Sequence, residues 1–231
     1  MASKSGATTF PSSMTITAST GNNASYVGND NVDTISYGNV TPGNATIAHS
    51  GDHWNISYTT TVSGSKSGSS TSGSDTLTAI ERISFSDGTH VALDLGLNED
   101  AGAALALLYA GFGKMPDSVT LGKWIYQADQ LRDSSTFDNS KITTLADAVL
   151  KYYVPNGVSN ADLVNILYTN VVGHAPDQDS LKAFTQLIDN GTYTQASFIA
   201  MAAETNTNTD HLVSLTGQGL QYTQYTPGKA G

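Results

Sequence analysis

The sequence has no cysteine, which excludes disulfides, thiolate catalysis and cysteine-ligated zinc. Charge is scarce too. Asp, Glu, Lys and Arg make up 13% of the 231 residues, about half of the roughly 25% usual in soluble domains. What charge there is leans one way, with 20 acidic against 10 basic residues and a formal net charge of −10. So few cations argue against nucleic acid and anionic membrane surfaces as partners, while divalent cations stay compatible. No apolar run approaches membrane-spanning length. Met1 to Ser13 lacks the apolar stretch of a secretory signal peptide, so the chain is expected to be cytoplasmic or exported without an N-terminal signal. Catalytic signatures are missing as well: there is no His-Glu-x-x-His, no Gly-x-Ser-x-Gly and no Walker loop. Ser63-x-x-Lys66 has no partner motif, and no catalytic residue is assigned.

Ser, Thr, Asn and Gly stand where charge would be, so the surface is polar and mostly neutral. Residues 1–20 form a Ser/Thr-rich arm with one alternating run at Met14, Ile16 and Ala18, read as a thin strand. Strand-like runs follow at Tyr26–Val27, Thr34–Tyr37 and Thr46–His49. Ser50-Gly51-Asp52 signals a turn, and Trp54, Ile56, Tyr58, Thr60 and Val62 alternate beyond it, so His49 to Val62 reads as a hairpin. Gly64 to Ser74 reads as a Gly/Ser loop, Thr76 to Phe85 as one strand, and Asp87-Gly88 as a hairpin turn into Val91–Leu95.

At Asn98 the apolar period changes from two to about three and a half. Ala101 to Phe112 is an almost wholly apolar helix, and amphipathic helices continue to Leu215. Within them, Leu107 to Trp124 is echoed sixty positions later at Leu167 to Phe184: Gly113 aligns with Gly173, Pro116-Asp117 with Pro176-Asp177, and Trp124 with Phe184. Glycine closes one helix in a left-handed turn, proline stops its continuation, and the aspartate caps the next helix. The fold class expected is α+β: an N-terminal antiparallel β domain over 21–96, then an all-α domain over 97–231 built from two helix–turn–helix repeats near 101–131 and 161–190.

The string Ser74 to Asp94, with Ile80-Glu81-Arg82-Ile83-x-Phe85-x-Asp87-Gly88 at its centre, resembles the β segment that follows calcium-binding RTX repeats in bacterial proteins exported by type I secretion. Asp33-Thr34-Ile35-Ser36-Tyr37 fits the start of that segment. The Gly-x-x-Pro-Asp units with Trp124 are similar to a bacterial helical domain of unknown function found in secreted and surface proteins. Tandem Gly-Gly-x-Gly-x-Asp repeats are missing, and Gly28-Asn29-Asp30-Asn31-Val32-Asp33 stands as one degenerate remnant. The resemblance implies export through an uncleaved C-terminal signal to the cell exterior or surface. It implies no activity.

Calcium is the one cofactor with a physical case, because it takes several hard oxygens from a flexible backbone. Asn29, Asp30 and Asp33 cluster in a glycine-containing loop, and Asp87, Asp94 and Asp75 add carboxylates at strand ends. The competing reading makes these ordinary turn residues. His49 and His53 flank a turn and are read chiefly as strand residues, while Trp54 and Tyr58 suit a small β core or a sugar platform. The leading functional expectation is a non-enzymatic structural protein that self-assembles into a surface layer or extracellular filament, its N-terminal strand donated to a neighbour. The alternative is a calcium-dependent adhesin or module binding cell-surface polysaccharide.

Overall fold

In the computed structural model, which describes residues 13–61, 70–131 and 139–228, the chain is mixed α/β, with β-sheets in the N-terminal part and seven helices after them among the described residues. The strands are β1 (Thr15–Thr17), β2 (Ser25–Val27), β3 (Thr34–Tyr37), β4 (Ala45–Ser50), β5 (His53–Thr61), β6 (Ser70–Thr78), β7 (Arg82–Phe85) and β8 (His90–Ala92). The helices are α1 (Asp100–Phe112), α2 (Ser118–Leu131), α3 (Asn139–Tyr153), α4 (Asn160–Val172), α5 (Gln178–Asp189), α6 (Gln195–Ala203) and α7 (Asn206–Thr216). A last strand, β9 (Leu220–Tyr222), brings the chain back to the sheets, where it pairs with β8.

One sheet has the order β1-β3-β7-β8-β9 and the other β2-β6-β5-β4. The expectation of an antiparallel β domain needs correction. β1 runs parallel to β3, β3 to β7, and β2 to β6. The cause lies in the connections. From β1 to β3 the chain steps to the other sheet and back, so it returns to each sheet in the same direction, as one pass of a coil. The step from β6 to β7 stacks a second pass on it in register, Ser25 beside Thr76 and Thr34 beside Arg82. Among the described residues, antiparallel pairing is confined to β4–β5–β6 and β7–β8–β9.

The corner between β6 and β7 interrupts what the sequence suggests is one strand from Thr76 to Phe85. Ala79 turns there with φ of 49°, a left-handed value that costs a residue with a Cβ about 1–2 kcal/mol. Gly28 is the stacked corner of the earlier pass. Its N–H donates to the Thr78 carbonyl at 2.9 Å, and a Cβ there would lie 1.7 Å from the Ala79 oxygen. Ser70 to Ser74, expected as loop, extends β6 opposite β5; the remaining loop residues, 62–69, lie outside those described. The Asp87-Gly88 hairpin forms between β7 and β8, with Gly88 at φ 84°.

Alternation along the strands sends Ile35, Tyr37, Ile47, Ile56, Tyr58, Leu77, Ile83, Phe85 and Val91 between the two sheets as one core. The opposite face of the first sheet carries Ala92, Leu220 and Tyr222 into a second core with the helices. The layers are therefore sheet, sheet, helices. α1 is buried on all sides except at Tyr109 and its last residues, as a helix apolar all round must be, and α2, α3, α4, α6 and α7 pack against it.

Gly113 and Gly173 close α1 and α4 at φ 65° and 89°. Asp117 accepts the Thr120 N–H at 2.8 Å and Asp177 accepts the Ser180 N–H at 2.7 Å. These bonds hold both carboxyls below the ordinary carboxylate range. Trp124 and Phe184 are not equivalently buried. Trp124 is 2% exposed, walled in by Tyr152 and Tyr153 at the end of α3. Phe184 is only half-buried, touching Tyr168 and Phe198, because α6 stops at Ala203 and supplies no aromatic pair above it.

Candidate functional site

The loop expected to hold calcium folds around one of its own carboxylates. Asp33 is fully buried; its Oδ1 accepts the Met14 N–H at 2.6 Å and its Oδ2 the Asn29 N–H at 2.5 Å. Its own N–H donates to Glu81 Oε2 at 2.7 Å, and its carbonyl accepts from Glu81 and Arg82. Asp33 thus ties the incoming β1 segment, its own loop and the next coil pass together. Asn29 Oδ1 accepts from Asn31, both backbone and side chain, at 2.8 and 3.1 Å. Asp30 is exposed. Asp87 is exposed and accepts the Thr89 N–H at 2.9 Å, an ordinary Asx turn. Asp75 is buried between the Tyr37 hydroxyl and the Ala24 N–H, both at 2.9 Å. The oxygens of Asp33, Asp75 and Asp87 thus face backbone or hydroxyl donors, and that of Asn29 faces the Asn31 amides.

Asp94 belongs to a different cluster. Among the described residues, the group of three acids close enough to share an ion is Asp94, Asp100 and Asp129, with ligand oxygens within 4.8 Å of one another. It sits where β8 leaves the sheet, α1 begins and α2 ends. Arg82 fills it from β7. Its Nη1 donates to Asp94 Oδ1 and to the Glu81 carbonyl, and its Nη2 to Asp129 Oδ1 at 2.6 Å. Asp94 Oδ2 also accepts the Ala101 N–H at 3.3 Å, at the start of α1.

The electrostatics follow from burial. Arg82 is 3% exposed; burial alone favours its neutral form, but Asp94 and Asp129 outweigh it and hold the guanidinium charged. Burial pushes the Asp129 carboxyl up to about 6, with Arg82 pulling the other way and the Asp94 and Asp100 charges adding to the rise. Burial also raises the Tyr222 hydroxyl to about 12. Arg82 thus sets a cation against two of the three carboxylates, and the cluster forms a charged joint between the β and helical halves.

Arg82, Asp100 and Asp129 escape the sequence reading. Arg82 lies within an apolar strand run and Asp129 beside Ala128 on a helix, 47 residues away. The one available signal is a lone Arg in an otherwise apolar strand, which must find an acid if it is buried. His49 and His53 do not converge: His49 pairs with Trp54 and His53 with Ser50, so neighbouring positions put them on opposite faces of the hairpin.

Two clefts among the described residues lie one at the junction of the halves and one within the helices. One, of about 280 Å³, opens between the halves and is lined by His49, Trp54, Leu93, Leu95, Glu99 and Thr216 with the Gly96 and Gly217 backbone. The other, of about 130 Å³, lies over the half-buried Phe184 among Leu167, Tyr168, Val171, Phe198 and Met201, where α6 leaves Phe184 uncovered. No described helix is long and apolar enough to cross a membrane. Comparison with protein-family models, curated proteins and solved structures gives no match.

Proposed function

We propose that the chain is a non-enzymatic structural protein that works outside the cell or on its surface, joining copies of itself into a layer or filament. The observation that carries this reading is the position of β1. It is the outermost strand of its sheet and three residues long, and it contributes only the half-buried Ile16 to the core. Its attachment is mostly main-chain hydrogen bonding to β3, together with the Met14–Asp33 bond. A strand held this way fits the same edge of a neighbouring copy equally well, and a head-to-tail exchange that does not close generates a filament. The coil favours further stacking, since β1 and β2 occupy the outer edges at one end of the two sheets.

The surface supports association as well. Thr46, Ser57, Thr59, Ser72 and Ser74 stand exposed on the outer face of the second sheet, where Ser57 meets Ser74 and Thr59 meets Ser72 at 3.1 and 3.2 Å. These five side chains present no charge to repel a second copy of a strongly acidic chain. In the helical half, we read the paired Gly-x-x-Pro-Asp caps as two copies of one helix–turn–helix unit.

Removing residues 1–20 tests the assembly. The truncated chain is expected to keep its circular dichroism spectrum and to run as a monomer in light scattering, and a peptide spanning Thr9 to Thr20 is expected to bind it. Unchanged polymer formation by the truncated chain would reject the exchange.

A further inference from the structure

We propose that the cleft between the β and helical halves is a saccharide subsite, in which one neutral sugar ring stacks on Trp54. Three distant segments converge there: β4–β5 bring His49 and Trp54, the β8–α1 connection brings Leu93, Leu95 and Glu99, and the end of α7 brings Thr216. Junctions between chain halves are where ligand sites concentrate.

The chemistry of the walls selects the ligand. Trp54 is only half-buried, although it stands on the inner face of its sheet in line with Ile56 and Tyr58. Its ring lies against His49 with centroids 4.6 Å apart, and its indole N–H meets no hydrogen-bond acceptor among the described residues. With Leu93 and Leu95 it makes an apolar floor. The same cleft is lined by the Glu99 carboxylate, the His49 imidazole and the Thr216 hydroxyl. Glu99 is held in place because its Oε2 accepts the Gly96 N–H at 2.6 Å. A ligand that suits both walls has an apolar face of C–H groups and an edge of hydroxyls, which describes a pyranose.

Charge and size narrow the class. Among the described residues no Lys or Arg lines the cleft, so none of them compensates a phosphate, sulfate or uronate, and Glu99 disfavours them. The volume, about 280 Å³, falls just below the roughly 300–1,000 Å³ typical of drug-sized ligands, so it admits one or two rings. The proposal does not rest on self-assembly, and the two fail separately: assembly is read by light scattering and this site by ligand binding.

Saturation-transfer NMR on the full chain tests it, with the methyl glycosides of glucose, galactose, mannose and N-acetylglucosamine and short oligomers of each. Transfer is expected to at least one of these neutral sugars and not to glucuronic acid. It is expected to fall at least tenfold in Trp54→Ala and in Glu99→Gln, each with an unchanged circular dichroism spectrum, and to survive in Trp54→Phe. An oligomer bound much more tightly than its monosaccharide assigns a polysaccharide as the source, and equal affinity assigns the free sugar. Absence of transfer from every sugar tested, or equal transfer in wild type and Trp54→Ala, would overturn the proposal.

Discussion

Arg82 on β7 reaches out of the sheet to Asp129 on α2, Nη2 to Oδ1, at 2.6 Å. Its other terminal nitrogen binds Asp94. Removing the cation leaves three carboxylates facing one another with little water, and breaking a buried pair from one side costs about 3–5 kcal/mol. Arg82→Met should lose that much in urea unfolding. Asp129→Asn should lose much less, because it removes one charge from an acid-rich cluster.

The same geometry makes calcium a test of Arg82. In the wild-type chain the guanidinium already supplies the positive charge, so millimolar calcium is expected to leave the melting temperature where a chelator leaves it. In Arg82→Met the three carboxylates offer the hard oxygens calcium takes. Calcium should then raise the melting temperature of the variant, by the linkage expected of any ligand bound only to the folded state. A wild-type melting temperature that rises in calcium would contradict this assignment.

Stability should also depend on pH through Asp129. Its folded value is raised from 3.8 to about 6, so between those values the folded state binds the proton more tightly than the unfolded chain. The stability this gives is fully present below the unfolded value and is lost as pH rises through about 6. The urea midpoint, followed from pH 4 to 7, should fall through this contribution, and Asp129→Asn should flatten it. Asp117 and Asp177, whose carboxyls are held low by their caps, act in the opposite sense and weaken the helices only as pH drops below the ordinary carboxylate range.

At the stacked corner, Gly28→Ala would place a Cβ 1.7 Å from the Ala79 oxygen and 2.6 Å from Asp33 Oδ2. Both neighbours are fixed, one as backbone and one as a buried carboxylate. The loss should exceed the ~1–3 kcal/mol of ordinary overpacking. Ala79→Gly should do the reverse, gaining up to about 1 kcal/mol by relieving a left-handed alanine. Chemical denaturation of the two variants checks both signs.

Trp124→Ala should cost about 3–5 kcal/mol, from lost transfer energy and the cavity left behind, and it also removes the 3.2 Å bond from Nε1 to the Tyr153 hydroxyl. Phe184→Ala, at the half-covered counterpart, should cost under about 2 kcal/mol. Equal losses in thermal melts would mean that the α3 tyrosines add nothing to the first site.

Much of the fold was legible because its signals are local. The change of period at Asn98, the Asp87-Gly88 hairpin and the two Gly-x-x-Pro-Asp caps each depend on a few adjacent residues. The parallel pairing was not legible, since a strand alternates in the same way whichever direction its neighbour runs. Nor did residue type separate a calcium ligand from an anchor at Asp33, because the same carboxylate oxygens accept from backbone N–H groups. The Arg82–Asp129 joint was hidden by distance along the chain. His49 and Trp54 stood in plain view, but Glu99 and Thr216 meet them only after the helices fold back.

The return of β9 gives the molecule a line of mechanical resistance. β1 and β9 are the two outer strands of one sheet, and tracing the pairings across it shows that they point the same way. Tension applied at the entry to β1 and the exit from β9 pulls at opposite ends of that sheet. The rungs between strands are then strained in shear, all together, where a hairpin pulled from its open end would unzip one rung at a time. Under such a pull the stress would pass through the five-stranded sheet while the helices and the junction cleft sit beside it, carrying little of the load.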